Sequence, residues 1–267
     1  MGKWPSLDKI EIDDPPLEDE EYERRLKKLQ ERMLDLQIHN IRTGGRAMIG
    51  LDGWDAAGKG GLIQRMVYGL EPRSVQVWRI SAPTPEEQGK HFLWRFWDHV
   101  PAPRNWAVFD RTWYGRVLVE RIEGFCSKAE WQRAYREINE FEQTLTDSGV
   151  RFVKLLIHVS EKEQKERMIT RLEKPHKRYK IGAEDFRNIA KRKQYIEAYD
   201  DMLEKTDTDY APWHVIAHDD KRWARLEGLK VITDILGKGV KITPQELDPE
   251  VAKAAFKLWG WKPKDEK

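Results

Sequence analysis

The sequence predicts an α/β fold with a mostly parallel central sheet flanked by helices. Three observations carry this. The apolar run Ala47 to Leu51 leads into a glycine-rich stretch, Gly53-x-x-x-x-Gly58-Lys59, and then into helix-compatible residues Arg65, Met66 and Val67. Further short apolar runs alternate with helical patterns along the chain, which is how parallel sheets with helices on both faces are written. The chain has 267 residues, 39% of them hydrophobic, enough for one α/β domain with additions.

The elements follow in order. Residues 1–17 hold Pro5, Pro15 and Pro16 and read as irregular. From about Glu18 to Arg42, Leu26, Leu29, Met33 and Leu36 recur at helical spacing, so this helix needs a partner, either the main domain or another subunit. Thr43-Gly44-Gly45 ends it. The first strand and glycine loop come next, then a second strand at 75–80, a turn through Ala82-Pro83-Thr84-Pro85 and a predicted helix over 86–99. Trp106 to Phe109 reads as a buried strand ending in Asp110-Arg111. Ser127 and Glu130 form a capping box at the start of a helix over 127–148, which Gly149 closes. Arg151 to Val159 is a long apolar strand, with Ser160 placed to cap the next helix. His214 to Ala217 is a short last strand, followed by a helix near 219–236 and a tail with one helical stretch at 249–258. The units are thus 1–45, an N-terminal extension and helix; 46–237, the main domain; and 238–267, a tail.

The glycine loop carries the chemistry. Strand, glycine loop and helix form a P-loop: glycines let backbone N–H groups close around phosphate oxygens, and the helix N-terminus adds partial positive charge. Gly53, Ala56, Ala57, Gly58, Gly60 and Gly61 supply that backbone, and Lys59 brings a full charge to the phosphate. The residue after the lysine is ordinarily Ser or Thr, whose hydroxyl binds Mg²⁺; here it is Gly60. A carboxylate within the loop, Asp55, repels phosphate unless a divalent cation lies between them, so Asp55 reads as a metal ligand. Asp110, at the carboxyl end of a buried strand, stands where P-loop enzymes place a second metal-associated carboxylate. Together the two suit Mg²⁺. Arg111 and Arg116 follow closely, and guanidinium forks suit phosphate oxygens.

Charge narrows the partners. Net charge is only +2, while 35% of residues are charged and mean hydropathy is −0.78. Residues 11–23 hold eight acids and no Lys or Arg; 174–180 hold four Lys or Arg and no acid. This points to a local anion site, with neither a nucleic-acid nor a membrane partner. No run approaches a membrane span, no signal-peptide pattern opens the chain, and the single cysteine, Cys126, suits the cytoplasm. The basic segment 161–205 is the exception to an otherwise mixed surface. A charge run is ordinarily a solvated helical face, but Pro175 breaks this one, and Arg167, Arg171 and Lys174 share a helical face. It reads as a helical lid that closes over phosphates.

The ordered motifs resemble the family-2 polyphosphate kinases. They are Gly53-Trp-Asp-Ala-Ala-Gly-Lys-Gly-Gly61, Ala82-Pro-Thr84, Phe109-Asp-Arg-Thr-Trp-Tyr-Gly-Arg-Val-Leu-Val-Glu-Arg121, Gly124-Phe125, Lys177-Arg-Tyr-Lys180, Thr206 to Trp213 and Asp219-Asp-Lys-Arg222. The resemblance runs from about 20 to 237. It implies a P-loop kinase fold with a helical lid insertion, and Mg²⁺-dependent, reversible transfer of a terminal phosphate from polyphosphate to a nucleotide, Mn²⁺ being able to substitute. It implies that Asp55 and Asp110 hold metal, that Lys59, Arg111 and Arg116 contact phosphates, and that Lys177, Arg178 and Lys180 hold the polyanion or clamp the transferred group. Leu93 to Trp97, Trp113 to Glu120 and Trp131 to Tyr135 are most similar to polyphosphate:AMP phosphotransferases. Many of those fuse two kinase-like domains where this sequence holds one, and Asp52 stands where relatives often carry Glu, beside the acceptor site. AMP to ADP is the first expectation; ADP or GDP to ATP or GTP is the second. An ATP-dependent nucleotide kinase of the same fold and a non-catalytic polyanion-binding protein are the rival readings. The resemblance also implies a homo-oligomer, dimer or tetramer.

Overall fold

The computed structural model describes residues 4–243 and 245–262. In chain order the elements are α1 (Asp19–Thr43), β1 (Arg46–Gly53), α2 (Lys59–Val67), β2 (Val75–Arg79), α3 (Trp94–Trp97), β3 (Trp106–Asp110), α4 (Val119–Glu123), α5 (Lys128–Asp147), β4 (Val150–His158), α6 (Glu161–Glu173), α7 (Ala183–Ala190), α8 (Arg192–Thr206), β5 (Trp213–Ala217), α9 (Lys221–Gly237) and α10 (Pro249–Trp259). The strands form one sheet in the order β2-β3-β1-β4-β5, every pair parallel. Because all strands run the same way, their carboxyl ends gather along one edge. Leu51 stands opposite Asp110 and Gly53 opposite Ile157, so the loops after β1, β3 and β4 meet there. That edge is where open α/β sheets bind ligands.

The central strands are buried on both faces, which is why they read as continuous apolar runs. Within this core lies an ion pair the hydrophobic pattern does not announce: Lys154 Nζ on β4 donates to Glu142 on α5 at 2.8 Å, and Trp113 and Tyr114 donate to the same carboxylate at 2.9 and 2.7 Å. The capping box at Ser127 is formed, as the sequence predicts.

α1 has its partner in its own chain. It buries Tyr22, Leu26, Met33 and Leu36, with Arg32 and Leu36 against Gly237 of α9, and Gln30 and Gln37 bond the backbone of Arg65 and Glu71. Residues 4–17 hold no α-helix or strand, only a single 3-10 turn at Leu7–Lys9, yet they are built into the molecule. Leu7 is fully buried, and the Leu7 backbone N–H donates to Asp200 on α8 at 2.8 Å.

Two expectations change. Residues 86–99 are not one helix: only Trp94–Trp97 is helical. Gly89 has a left-handed backbone (φ 82°), and the Glu87 carboxylate turns back to accept from the Thr84 N–H at 2.7 Å, so the first half is turns. The basic segment 161–205 is also not one free-standing unit. α6 buries Gln164, Arg167 and Met168, and α8 buries Tyr195, Ala198, Tyr199, Met202 and Leu203. The part standing clear of the body is the turn Pro175–Lys180, which buries nothing, together with α7, whose one buried residue is Asp185.

Candidate active site

The loop between β1 and α2 is shaped by backbone conformations that L side chains rarely adopt. Gly53 and Gly58 have φ of 127° and 119°. A Cβ on Gly53 would lie 2.1 Å from the Ile157 carbonyl oxygen, so only glycine lets the loop pass β4 at this height. Gly58 accepts from the N–H groups of Gly61 and Leu62 at 2.9 and 3.0 Å, starting α2 with its N-terminus aimed into the cleft. Ala56 and Arg111 have φ of 64° and 67°, unusual for residues with a side chain. Each directly follows a cleft carboxylate, Asp55 or Asp110.

The cleft measures about 660 Å³. Its floor is the loop from Trp54 to Gly61; its walls include Asp110, Arg111, Arg79 and, from α6 and the turn Pro175–Lys180, Arg171, Lys177 and Lys180. Lys221 and Arg225 of α9 close the far side. Lys59 is 9% exposed and folds back on its own loop, donating to the carbonyls of Gly53 and Trp54 at 2.7 and 3.0 Å. Burial pushes its ammonium below the usual value, against the pull of Asp55 and Asp110. Asp55 is half-buried, which would raise its carboxyl, yet Lys59, Asn188 and Arg111 together hold it below the usual range. Arg111 Nη2 donates to Asp55 Oδ1 at 3.2 Å, and Asn188 Nδ2 to Oδ2 at 2.7 Å.

Not every predicted site residue reaches the cleft. Asp55, Ala56, Ala57, Gly58, Lys59, Gly60, Gly61, Asp110, Arg111, Lys177 and Lys180 line it. Gly53 lies beneath the loop and contributes its carbonyl to Lys59. Asp52 is buried below the floor, where Thr112 Oγ1 donates to it and burial raises its carboxyl; it does not line the cleft. Arg116 turns away to Glu120 (3.1 Å) with its guanidinium over the Phe92 ring. Arg178 caps the end of α6 through the Leu172 carbonyl at 2.9 Å.

Arg167, read from sequence as one of the lid cations, is instead a clamp beneath the loop. It is 5% exposed and donates to the carbonyls of Ala56, Ala57 and Asp219. Gln164, one helical turn earlier, donates to the Asp55 carbonyl at 2.9 Å. α6 therefore fixes the loop from the outside, satisfying carbonyls that would otherwise be stranded.

The donor set fits Mg²⁺. That ion takes one or two carboxylates and completes its shell with water and substrate phosphates. Asp55 and Asp110 face one cleft, and the Asp110 carboxylate accepts no hydrogen bond among the described residues. No group of three or more His, Cys, Asp or Glu able to hold a metal occurs among those residues. Gly60 is not enforced by space: nothing lies within 4 Å of a Cβ built there.

The sequence and the fold are similar to those of known proteins. The family model described as Polyphosphate kinase 2 matches residues 16–243. The chain belongs to the polyphosphate kinase 2 family. A polyphosphate:AMP phosphotransferase of Pseudomonas aeruginosa is 45% identical over 226 residues, 84% of this chain. The chain spans 45% of that relative's length. An ADP-polyphosphate phosphotransferase of Rhizobium meliloti is 35% identical, covering 87% of this chain and 81% of its own. The crystal structure of a polyphosphate kinase 2 from Arthrobacter aurescens superposes with a TM-score of 0.88 at 33% identity, over 97% of this chain and 94% of its own. In this polyphosphate kinase 2 chain, Arg79, Lys221 and Arg225 line the cleft and Asn188 bonds Asp55, and spacing did not single out any of these four as site residues. Arg79 had a signal, its place at the carboxyl end of β2. The other three lie on helices, where nothing in the spacing separates them from solvated polar residues. Among the described residues no helix is long and apolar enough to cross a membrane.

Proposed function

We propose that the chain transfers the terminal phosphoryl group of inorganic polyphosphate to a nucleotide, with AMP the favoured acceptor and ADP the product. The observation that carries the reading is the cation set on one cleft. Lys59 and Arg111 stand at the loop, and Arg171, Lys177, Lys180, Lys221 and Arg225 surround the entrance. A single nucleotide triphosphate does not need so many cations; a long polyanion does. AMP as acceptor is supported by the 45% identity to the Pseudomonas aeruginosa polyphosphate:AMP phosphotransferase, against 35% to the Rhizobium meliloti ADP-polyphosphate enzyme.

The chemistry follows from charge. The attacking atom is an oxygen of the acceptor phosphate, already ionised at neutral pH, so no general base is needed. That oxygen forms the new P–O bond as the bridging oxygen of the polyphosphate leaves, and one phosphoanhydride replaces another or begins one. The barrier is repulsion between two anions and the need to align them in line. The backbone N–H groups of the loop cradle the transferred phosphate, and Lys59, released from its own carbonyls, and Arg111 stabilise its equatorial charge. Asp55 and Asp110 would hold Mg²⁺ or Mn²⁺, which supplies charge neutralisation and orientation of the phosphates. Lys177 and Lys180 carry the donor chain, and closing the exposed lid segment excludes water, which would otherwise divert transfer into hydrolysis.

The test gives purified protein long-chain polyphosphate and Mg²⁺, with AMP alone in one tube and ADP alone in another, and separates the nucleotides. ADP formed from AMP is expected. Product only from ADP would make the chain a diphosphate kinase. No product in either tube, with phosphorylation when ATP is the donor, would overturn polyphosphate as donor.

A further inference from the structure

Asn188 is an uncharged side chain on α7 bonded to the one carboxylate inside the phosphate loop. Its amide is fixed from both ends. Nδ2 donates to Asp55 Oδ2 at 2.7 Å, and Oδ1 accepts from the Tyr195 hydroxyl at 3.0 Å. Tyr195 is itself buried, on α8, with its ring edge-on to Trp54, the neighbour of Asp55. The partners dictate which end of the amide faces the carboxylate, since only NH₂ can donate to Asp55 and only the carbonyl can accept from the tyrosine.

A second contact runs beside the first. Glu184 lies one helical turn before Asn188 on the same face of α7. Its carboxylate stands 3.7 Å from Arg111 Nη2, the nitrogen that also donates to Asp55 Oδ1. α7 thus reaches the two loops through two polar side chains, Asn188 on the loop after β1 and Glu184 on the loop after β3, and Asp185 also lines the cleft. It has little else to hold it there: Asp185 is its one buried residue, and Phe186 is exposed. A helix placed by polar contacts opens at low cost.

The chemistry of the contact fits a carboxylate that must bind a cation. A lysine at this position would neutralise Asp55 and compete with the ion. A neutral amide fixes the orientation of the carboxylate, leaves its charge intact and uses one lone pair of Oδ2. We propose that Asn188 is the positioning residue of Asp55, and that through it the seating of α7 and divalent-cation binding at Asp55 are one coupled equilibrium. The inference rests on the reading of Asp55 as a metal ligand within the proposed phosphotransfer site.

The test needs neither polyphosphate nor nucleotide. Mn²⁺ is titrated into the full chain and free ion is followed by electron paramagnetic resonance, while hydrogen exchange is followed over 183–190. Asn188→Ala should weaken Mn²⁺ binding about tenfold, the scale on which outer-shell partners act, and should speed exchange across α7. Asn188→Asp sets a carboxylate against a carboxylate. Without metal, α7 should exchange faster than in the wild type; with Mn²⁺, whose charge would offset the repulsion between the two carboxylates, protection should return. Exchange in β1 and β4 in the same samples reports whether each variant is folded, and the isosteric Asp variant decides the matter if the Ala variant is not. Mn²⁺ affinity within twofold of wild type in the folded Ala variant, unchanged α7 exchange, or an Asp variant that Mn²⁺ does not protect would overturn the proposal. Because only metal and exchange are read, loss of the coupling and loss of polyphosphate-dependent turnover are separate results.

Discussion

Arg111 donates to Asp55 across the cleft at 3.2 Å, tying the loop after β3 to the loop after β1. The two loops carry Asp55 and Asp110, two of the acids that line the cleft, and each turns immediately after its carboxylate through a left-handed non-glycine residue, Ala56 or Arg111. Such conformations cost about 1 kcal/mol each and persist where surrounding structure enforces them. The backbone is therefore fixed beside both carboxylates before any ligand arrives, and the Asp55 side chain is held as well, by Arg111 and Asn188.

From that arrangement, Asp55→Asn and Asp110→Asn should each lower turnover by at least about a hundredfold, the scale of removing a preorganised electrostatic contact. Folding should survive. Asn keeps the shape and can still accept from Arg111 at position 55, so melting temperatures should stay within a few degrees of wild type. Nucleotide product measured at saturating polyphosphate and Mg²⁺ checks this. Near-normal turnover in either variant would remove that carboxylate from the metal site.

Two glycines of the same loop should respond oppositely to a side chain. Gly53→Ala places a Cβ 2.1 Å from the Ile157 carbonyl at a φ of 127°. Overpacking and backbone strain together should cost about 3 kcal/mol or more, seen as a fall in melting temperature of roughly 10 °C. Gly60→Ser meets nothing within 4 Å and should change stability by no more than about 0.5 kcal/mol. It also restores the hydroxyl of the common motif. Polyphosphate-dependent turnover retained by Gly60→Ser would show that the missing hydroxyl is not what selects the donor.

How far the site was legible depended on what each residue's role demands of the sequence. The phosphate loop needs glycines at fixed spacing, and Asp110 needs a buried strand before it, so both could be read. Asp52, Arg116 and Arg178 show the opposite case. Their motif positions suited roles at the site, the arginines on phosphate and Asp52 beside the acceptor, but spacing does not say which way a side chain turns, and these turn to Thr112, Glu120 and the Leu172 carbonyl. Arg167 read as one more cation in a basic run, yet it is buried against loop carbonyls. The predicted helix over 86–99 failed because Gly89 takes a left-handed conformation, which composition permits but does not require. The sheet was legible because its central strands are buried on both faces, and the apolar runs mark them directly.

The N-terminal extension should make stability depend on pH through His218. Its ring nitrogens contact Asp14 Oδ1 at 2.7 Å and Glu227 Oε2 at 2.6 Å, and Asp14 also accepts from the N–H groups of Asp219 and Asp220 at 2.8 Å each. Burial opposes protonation of His218, but the two carboxylates outweigh it and raise its pKa above the usual value. A raised pKa contributes stability that is fully present below the unfolded value of about 6.5 and is lost as pH rises through the folded value. His158 has the opposite sign: burial, and then Arg192, lower it to about 4, so its contribution is present above about 6.5 and fades as pH falls. His218→Asn should therefore lower the melting temperature most near pH 6 and progressively less toward pH 9. An equal effect at both ends would show that His218 carries no extra proton in the folded protein.

Arg167 separates a loop clamp from a lid cation. One guanidinium satisfies the carbonyls of Ala56, Ala57 and Asp219 while its Nε donates to Glu163 at 2.6 Å. A lysine ammonium is a point donor on a flexible stem and cannot span that set. Arg167→Lys should leave buried carbonyls without donors, costing about 1–3 kcal/mol, and should loosen the backbone that cradles the transferred phosphate. The kinetic result should be a fall in kcat of about tenfold to a hundredfold, because small misplacement at the reacting centre is costly, with little change in KM for polyphosphate. Lys177→Ala should do the reverse, since Lys177 lines the cleft from the exposed turn Pro175–Lys180: KM for polyphosphate should rise and melting temperature should hold. If Arg167→Lys raised KM and left both kcat and stability intact, Arg167 would be contacting the donor chain, and α6 would belong to the moving part of the lid.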